Sequence, residues 1–190
     1  MSTSSKAFKR VPGLDDAQLG HEARAQANDH VDLKLWLRLL ACSTQIEQQI
    51  RQRLRTQFGT TLARFDYLAQ LERHPKGLRM NQVSSYLMVT GANVTGLTDQ
   101  LVKEGLVQRA DDPQDRRSWR VALTKQGREE FAAMASVHEQ WLREMFADLS
   151  APEKRAMYDQ LGRLRMSLTQ QSAAVTSPPR STTPRRKPPP

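Results

Sequence analysis

The sequence predicts a mainly α-helical chain with one small β-hairpin. Over most of residues 29–170, apolar side chains recur every three or four positions, which is typical of amphipathic helices. Residues 106–123 instead hold two short alternating segments around a polar loop, which is typical of a hairpin. The length of 190 residues and the mean hydropathy of −0.66 indicate a globular chain that can bury a core of its own.

Two helices open the helical part of the chain. The first is predicted over residues 29–58, where apolar residues share one face. It is too long for the core of one small domain, so we expect it to lie against a partner chain. The second is predicted over residues 61–74, because Pro75 and Gly77 favour a turn directly after it.

The two ends of the chain differ from the helical part. Residues 1–28 are polar and are expected to form a flexible N-terminal arm, with a short helix near residues 17–25. Residues 171–190 are rich in Ser, Thr, Pro and basic side chains, which predicts a disordered basic tail. Helices at residues 29–60 and 125–170 would then form a separate helical region around a compact domain at residues 61–124.

Two short helices joined by a tight turn occupy the middle of the chain. The first is predicted over residues 79–87, and the second begins at Thr90 or Gly91 and ends at Gly105. On the second helix, the residues expected to be buried are Val94, Leu97 and Leu101. Its opposite face carries small polar residues, namely Asn93, Thr95, Gly96, Thr98 and Gln100.

A hairpin and two further helices complete the pattern. The hairpin strands are predicted over residues 106–109 and 119–123, on either side of a polar loop. Thr124 is a candidate N-cap for the next helix. The S-x-x-E sequence at residues 150–153 is a capping box that opens the last helix.

This order of helices, tight turn and hairpin is the winged helix–turn–helix arrangement. A helix with small polar side chains can enter the major groove and contact base edges, and an Arg at the tip of a wing can enter the minor groove. The candidate DNA contacts are therefore Thr90, Gly91, Asn93, Thr95, Gly96 and Thr98 on the helix and Asp115, Arg116 and Arg117 on the wing. An ordinary solvated helix face and a charged hairpin turn are the alternatives.

The charge of the chain agrees with a nucleic-acid partner. The net charge is +9, and removing the tail residues Arg180, Arg185, Arg186 and Lys187 leaves +5, so the rest of the chain is basic as well. A basic surface without a specific partner is the alternative.

Other classes of protein are disfavoured. The four histidines lack metal-ligand spacing and the single cysteine excludes a thiolate-rich zinc site, so we expect no enzyme, no metal and no cofactor. The chain has no apolar stretch long enough to span a membrane, which predicts a cytoplasmic protein without a membrane partner.

From Asn93 to Gly127 the sequence resembles the MarR family of bacterial regulators. The resemblance rests on the segments N-V-T-G-L-T-D-Q-L, G-L-V-Q-R, D-P-Q-D-R-R and V-A-L-T, in this order and spacing. It implies a winged helix–turn–helix fold, a triangular homodimer formed by the first and the last two helices, and a palindromic DNA operator. It also implies repression as the default mode, with recognition-helix contacts from Asn93, Thr95 and Thr98 and wing contacts from Asp115 and Arg117.

Proteins similar to this one usually respond to a small molecule held between the dimer helices and the winged lobe. The resemblance places such an effector pocket at Trp36, Leu40, Ser43, Phe65 and Met88, although each of these is equally explicable as core, and Arg38 and Arg64 are added as basic candidates for the same pocket. The first two helices resemble those of regulators of aromatic-acid catabolism. We therefore expect a small aromatic acid or its coenzyme A thioester, whose phosphates Arg38 or Arg64 could pair.

Two alternatives stay open. Cys42 could make the chain a thiol-based redox sensor, but its apolar neighbours in sequence favour an inert, buried core cysteine. The winged helix could also be a protein-interaction module without specific DNA binding.

Overall fold

The computed structural model describes residues 14–26, 30–87, 91–112 and 115–176. The chain divides into two compact units, Met1–Leu142 and Arg143–Pro190. Its helices and strands are α1 Asp16–Leu19, a 3-10 turn Gly20–Arg24, α2 Val31–Phe58, α3 Leu62–Arg73, β1 Leu78–Arg79, α4 Met80–Leu87, α5 Gly91–Lys103, β2 Val107–Asp112, β3 Asp115–Leu123, α6 Lys125–Met145 and α7 Ala151–Thr176. Among these elements, no helix is long and apolar enough to cross a membrane.

The winged lobe is built on a three-stranded antiparallel sheet in the order β1-β3-β2. Strand β1 was not expected from the sequence, because two residues are too few to show alternation. It begins directly after Gly77, whose φ of +77° suits glycine and where a Cβ would lie 2.9 Å from the Val121 carbonyl oxygen. The sheet and helices α3 to α5 share an apolar core that includes Leu68, Leu71, Val83, Val94, Leu101 and Val121.

An aromatic cluster joins α2, α3 and α6 in the first unit. Phe65 of α3 packs on Phe131 and His138 of α6, with ring centroids 5.5 and 4.9 Å apart. Phe58, at the end of α2, lies 6.2 Å from the ring of Trp141. These contacts attach the long helices α2 and α6 to the start of the winged lobe.

The helix caps follow the sequence. The Thr61 hydroxyl accepts from the Arg64 N–H at the start of α3, and the Thr124 hydroxyl accepts from the Gly127 N–H, 2.9 Å away, at the start of α6. In the second unit, the Ser150 N–H donates to the Glu153 carboxylate over 2.8 Å, as a capping box requires. The predicted starts of these three helices are confirmed.

The N-terminal segment is more ordered than expected. Residues 14–26 form α1 and the 3-10 turn, which pack on α2 with Leu19 and Glu22 buried. Glu22 accepts from the Arg38 guanidinium. The short helix expected near residues 17–25 is present as α1 and the 3-10 turn, and Leu19 and the Glu22–Arg38 ion pair hold this segment in place rather than leaving it loose. Residues 1–13 and 27–29 lie outside the described part of the chain.

The hairpin and the last helix extend beyond their predicted ends. Strand β2 continues to Asp112 and β3 starts at Asp115, because backbone hydrogen bonds sustain the ladder beyond the segments of alternating apolar residues. Helix α7 continues to Thr176, so the first six residues of the predicted disordered tail are helical. Residues 177–190 lie outside the described residues.

Candidate nucleic-acid interface

Helix α5 presents an exposed polar face at the surface of the winged lobe. Asn93, Thr95, Gly96, Asp99 and Gln100 are exposed, whereas Val94 and Leu101 anchor the opposite side and are fully or almost fully buried. Gly91 opens the helix. The turn before it, including the predicted contact Thr90, lies outside the described residues. The exposed side chains are short, so the helix backbone can approach a partner closely.

Thr98 does not belong to this face. Its exposure is 0 %, and its hydroxyl donates to the Val94 carbonyl over 2.7 Å. The same oxygen accepts from the Tyr67 hydroxyl at 2.7 Å, and burial raises the pKa of that phenol. The prediction that Thr98 contacts DNA is therefore wrong. The spacing of Val94, Thr98 and Leu101 could have revealed its inward position, since it places all three on one side of a helix.

Two ion pairs connect α5 to its neighbours. Asp99 pairs with Arg109 of β2, and Glu104, just after the helix, pairs with Arg64 of α3. Hydrogen bonding to Arg64 lowers the pKa of Glu104. These two pairs therefore attach α5, which carries the exposed polar face, to β2 of the wing and to α3. The role of Arg109 could not be recognised from the sequence, because the pairing depends on the hairpin folding back along α5.

The wing carries the remaining predicted DNA contacts. Asp115 opens β3 opposite Asp112, and Arg116 and Arg117 follow in the same strand. The structure thus places the backbone of all three at the tip of the hairpin. Their side chains lie outside what the structure describes.

A cleft lies beside the exposed face of α5. Its volume is about 700 Å³, and α2, α3, α4 and α5 all contribute to it. The lining residues are Glu47, Arg51, Leu62, Ala63, Asp66, Leu87, Asn93, Gly96, Leu97 and Gln100. One edge of the polar face of α5, at Asn93, Gly96 and Gln100, is therefore also a wall of the cleft, whereas Thr95 and Asp99 do not line it.

Three charged side chains line the cleft. Glu47 and Arg51 form an ion pair one turn apart on α2. Asp66 of α3 is partly buried, and burial raises its pKa, with Arg51 opposing and Glu47 adding to the shift. Among the described lining residues, Arg51 is thus the cation, and Glu47 and Asp66 are the two carboxyl groups.

The effector-pocket residues expected from the sequence do not line this cleft. Trp36 is 57 % exposed on α2, and Phe65 is buried in the aromatic cluster. The exposed Ser43 hydroxyl donates to the Leu40 carbonyl of its own helix. The two cations, Arg38 and Arg64, are held by Glu22 and Glu104. Met88 lies outside the described residues. Trp36, Leu40 and Ser43 recur at spacings of four and three on one side of α2, whereas Phe65 belongs to the aromatic cluster and Arg64 pairs with Glu104.

Cys42 is exposed on α2. The prediction of a buried core cysteine is therefore wrong for the single chain, because α2 turns Leu37, Ile50 and Leu54 inward and Cys42 lies on another side. Within the described ranges, no group of three or more His, Cys, Asp or Glu side chains could hold a metal ion.

Comparison with known proteins agrees with this geometry. A family model described as MarR family matches residues 58–118. The chain is 32% identical over 110 residues to the HTH-type transcriptional regulator YdgJ of Bacillus subtilis, a match that covers 58% of this chain and 66% of that relative. The chain thus spans just under two thirds of this curated relative.

Solved structures show the same likeness over more of the fold. A MarR family transcriptional regulator from Silicibacter pomeroyi is 31% identical with a TM-score of 0.59, and the match covers 74% of this chain and 94% of that one. The S. aureus MepR–DNA complex is 27% identical with a TM-score of 0.59, covering 68% of this chain and 94% of that one.

Proposed function

Because this chain belongs to the MarR family of DNA-binding transcriptional regulators, we propose that it is a repressor that binds a palindromic operator as a homodimer and is released by a small molecule. The observation that carries this function is the position of α5. One side of the helix is an exposed, small, polar face, and the neighbouring side lines a cleft of about 700 Å³. A molecule in the cleft would touch the helix that reads the DNA.

The operator contacts divide between the helix and the wing. Asn93 can pair with adenine through its side-chain amide, whose NH2 donates to N7 and whose oxygen accepts from the N6 amino group, and Thr95 can bond a base or touch a thymine methyl. Arg116 and Arg117 are the candidates for the minor groove, whose negative potential attracts guanidinium groups, with Asp115 orienting one of them. Thr98 is not among the contacts, since it is buried.

A second copy of the chain would cover the apolar residues that the monomer leaves exposed. In the second unit, one stripe of α7 exposes Met157, Leu161, Leu164 and Leu168 by 40–54 %. In the first unit, the N-terminal half of α2 exposes Val31, Leu33, Leu35 and Trp36 by 45–57 %. Exposed apolar side chains grouped along a helix in this way favour burial against another chain. Two copies would present two recognition helices to two half-sites of one operator.

A small aromatic acid, or its coenzyme A thioester, is the effector that we propose for the cleft. Arg51 is the cation that a carboxylate could meet there, in competition with Glu47. Burial raises the pKa of Asp66 on the same wall, with Arg51 opposing the shift. A thioester would have to displace Glu22 or Glu104 before its phosphates could pair with Arg38 or Arg64.

Release would follow from a change in spacing. An effector that binds better to a conformation with the wrong distance between the two recognition helices shifts the population toward that conformation. Both half-sites then cannot be engaged together, and the affinity for the operator falls.

Fluorescence anisotropy with DNA from upstream of the protein's own gene tests this function. We expect tight, salt-sensitive binding that Asn93→Ala and Arg117→Ala both weaken. Arg163→Ala, which removes the same charge from the exposed surface of α7, is the matched control and should bind like the wild type. Aromatic acids and their thioesters are then screened for release, and a reporter gene distinguishes repression from activation. Binding no tighter than to random DNA, unchanged in both variants, would contradict the function and favour a protein-docking module.

The exposure of Cys42 favours a second candidate, a thiol-based switch. Treatment with peroxide followed by the same binding assay decides between the two. If oxidant releases the wild type from DNA and Cys42→Ser stays bound, the redox mechanism holds. If both proteins respond equally to an aromatic effector and neither responds to oxidant, Cys42 has no part in sensing.

A further inference from the structure

One buried oxygen atom joins the three helices of the winged lobe. Tyr67 of α3 and Thr98 of α5 are both 0 % exposed, and their hydroxyl oxygens lie 2.7 Å apart. Thr98 donates its own proton to the Val94 carbonyl, 2.7 Å away within α5, so Tyr67 is the donor to Thr98. The sulfur of Met80, at the start of α4, lies 3.8 Å from the same Thr98 oxygen.

Both side chains of this hydroxyl pair are fully buried, so water cannot replace the hydrogen bond between them if it is lost. Side chains such as Leu71, Val83 and Leu101 fill space but tolerate small rotations of one helix against another. A hydrogen bond is directional and weakens steeply when it bends. A buried hydroxyl that loses its partner makes the folded state less stable. Buried polar contacts of this kind specify one arrangement of a core among several that pack almost equally well.

We propose that the Tyr67–Thr98 hydrogen bond is a positioning element that fixes the rotation of α5 about its own axis, and that it thereby determines part of the sequence selectivity of DNA binding. The inference rests on the reading face proposed above for α5. The acceptor of the Thr98 proton, Val94, lies between Asn93 and Thr95, the two proposed base contacts. A rotation of the helix around this point moves both side chains relative to the bases. Base readout tolerates only small displacements, whereas contacts to phosphates are less exacting.

The test measures selectivity rather than affinity alone. The wild-type protein first selects its preferred duplex from a random-sequence DNA library. Dissociation constants are then measured for that duplex and for a shuffled duplex of the same composition, at one salt concentration. The ratio of the two constants is the selectivity.

Two variants remove the hydrogen bond in different ways. Tyr67→Phe removes the donor and leaves Thr98 bonded to Val94, and Thr98→Val removes the acceptor. We expect each variant to lose selectivity by roughly two- to tenfold, the effect of one hydrogen bond, with binding to the shuffled duplex unchanged. The double variant should lose no more than the stronger single variant, because both act on one bond. Tyr158→Phe, at a tyrosine that is 79 % exposed on α7, is the matched control and should keep the wild-type ratio.

Thermal unfolding of every variant separates positioning from folding. If Thr98→Val does not fold, the test relies on Tyr67→Phe, which removes the donor, and on Thr98→Ser. Thr98→Ser keeps the hydroxyl and should therefore keep the selectivity. Wild-type selectivity in both Tyr67→Phe and Thr98→Val would overturn the inference, as would an equal loss on both duplexes. A wild-type protein that selects no sequence would instead overturn the proposed reading face, and the role of the pair with it.

Discussion

Replacing Gly96 by alanine separates the stability of α5 from its function. Gly96 lies in the interior of the helix and is exposed, and a Cβ at this position would meet nothing within 4 Å. Glycine in a helix interior is less favourable than alanine by about 1 kcal/mol, because it loses more backbone entropy on folding. Gly96→Ala should therefore raise the free energy of unfolding by about this amount and the melting temperature by roughly 2–4 °C.

The same methyl group should weaken operator binding. It would project from the face on which Asn93 and Thr95 are exposed, where α5 is proposed to approach the base edges. An additional methyl group in a close-fitting interface costs about 1–3 kcal/mol, which corresponds to roughly a 5- to 150-fold loss of affinity. Urea unfolding followed by circular dichroism measures the stability, and fluorescence anisotropy on the selected duplex measures the affinity.

Gly162→Ala is the matched control for this substitution. Gly162 also lies in a helix with open space around it, on α7, away from the apolar stripe of Met157 and Leu161. It should gain the same stability and keep the wild-type affinity for DNA. A stabilised Gly96→Ala protein that binds the operator as tightly as the wild type would refute the reasoning, because glycine would then not be needed for close approach at this position.

Three further outcomes are expected from urea unfolding. Gly127→Ala should lower the free energy of unfolding by about 3 kcal/mol or more, because its Cβ would lie 1.9 Å from the Leu106 carbonyl oxygen. A variant as stable as the wild type would contradict this packing. Burial raises the pKa of Asp66 in the folded state, so its contribution to stability is complete below the ordinary value of 3.8 and is lost as the pH rises through the raised pKa. The stability of Asp66→Asn relative to the wild type should therefore increase as the pH rises from acidic to neutral. Profiles of unfolding free energy against pH that run parallel for the two proteins would exclude this effect. Burial lowers the pKa of His138, so its contribution is present above the ordinary value of 6.5 and is lost as the pH falls through the lowered pKa. His138→Phe, which keeps a ring against Phe65, should be less sensitive to acid than the wild type, and equal sensitivity would locate the acid response elsewhere.

Local signals in the sequence were sufficient for most of the fold. Thr61 and Thr124 mark helix starts through their own hydroxyl groups, and the capping box at Ser150 does the same. Each of these signals acts within four residues along the chain, so it can be recognised without knowing the tertiary structure. Strand β1 was missed because its pairing with β3 is the only feature that defines it.

The errors in the candidate site have a common physical cause. Thr98 is polar, but its partner Tyr67 is distant in sequence and is supplied only by the packing of α3 on α5. Cys42 has apolar neighbours in sequence, yet neighbours along a helix point in different directions. The cleft was not anticipated either, since Glu47, Asp66 and Gln100 meet there from three separate helices.

The two ion pairs at the C-terminal part of α5 affect how a salt titration should be interpreted. The slope of log affinity against log salt concentration is commonly converted into a number of phosphates contacted by the protein. The pairs Asp99–Arg109 and Arg64–Glu104 are partly exposed to solvent and are screened by the same ions. Salt would therefore weaken the contacts that hold α5 against β2 and α3, as well as the attraction between the protein and DNA. A phosphate count taken from the wild-type slope alone would be too high, and the Asp99→Asn slope would show by how much.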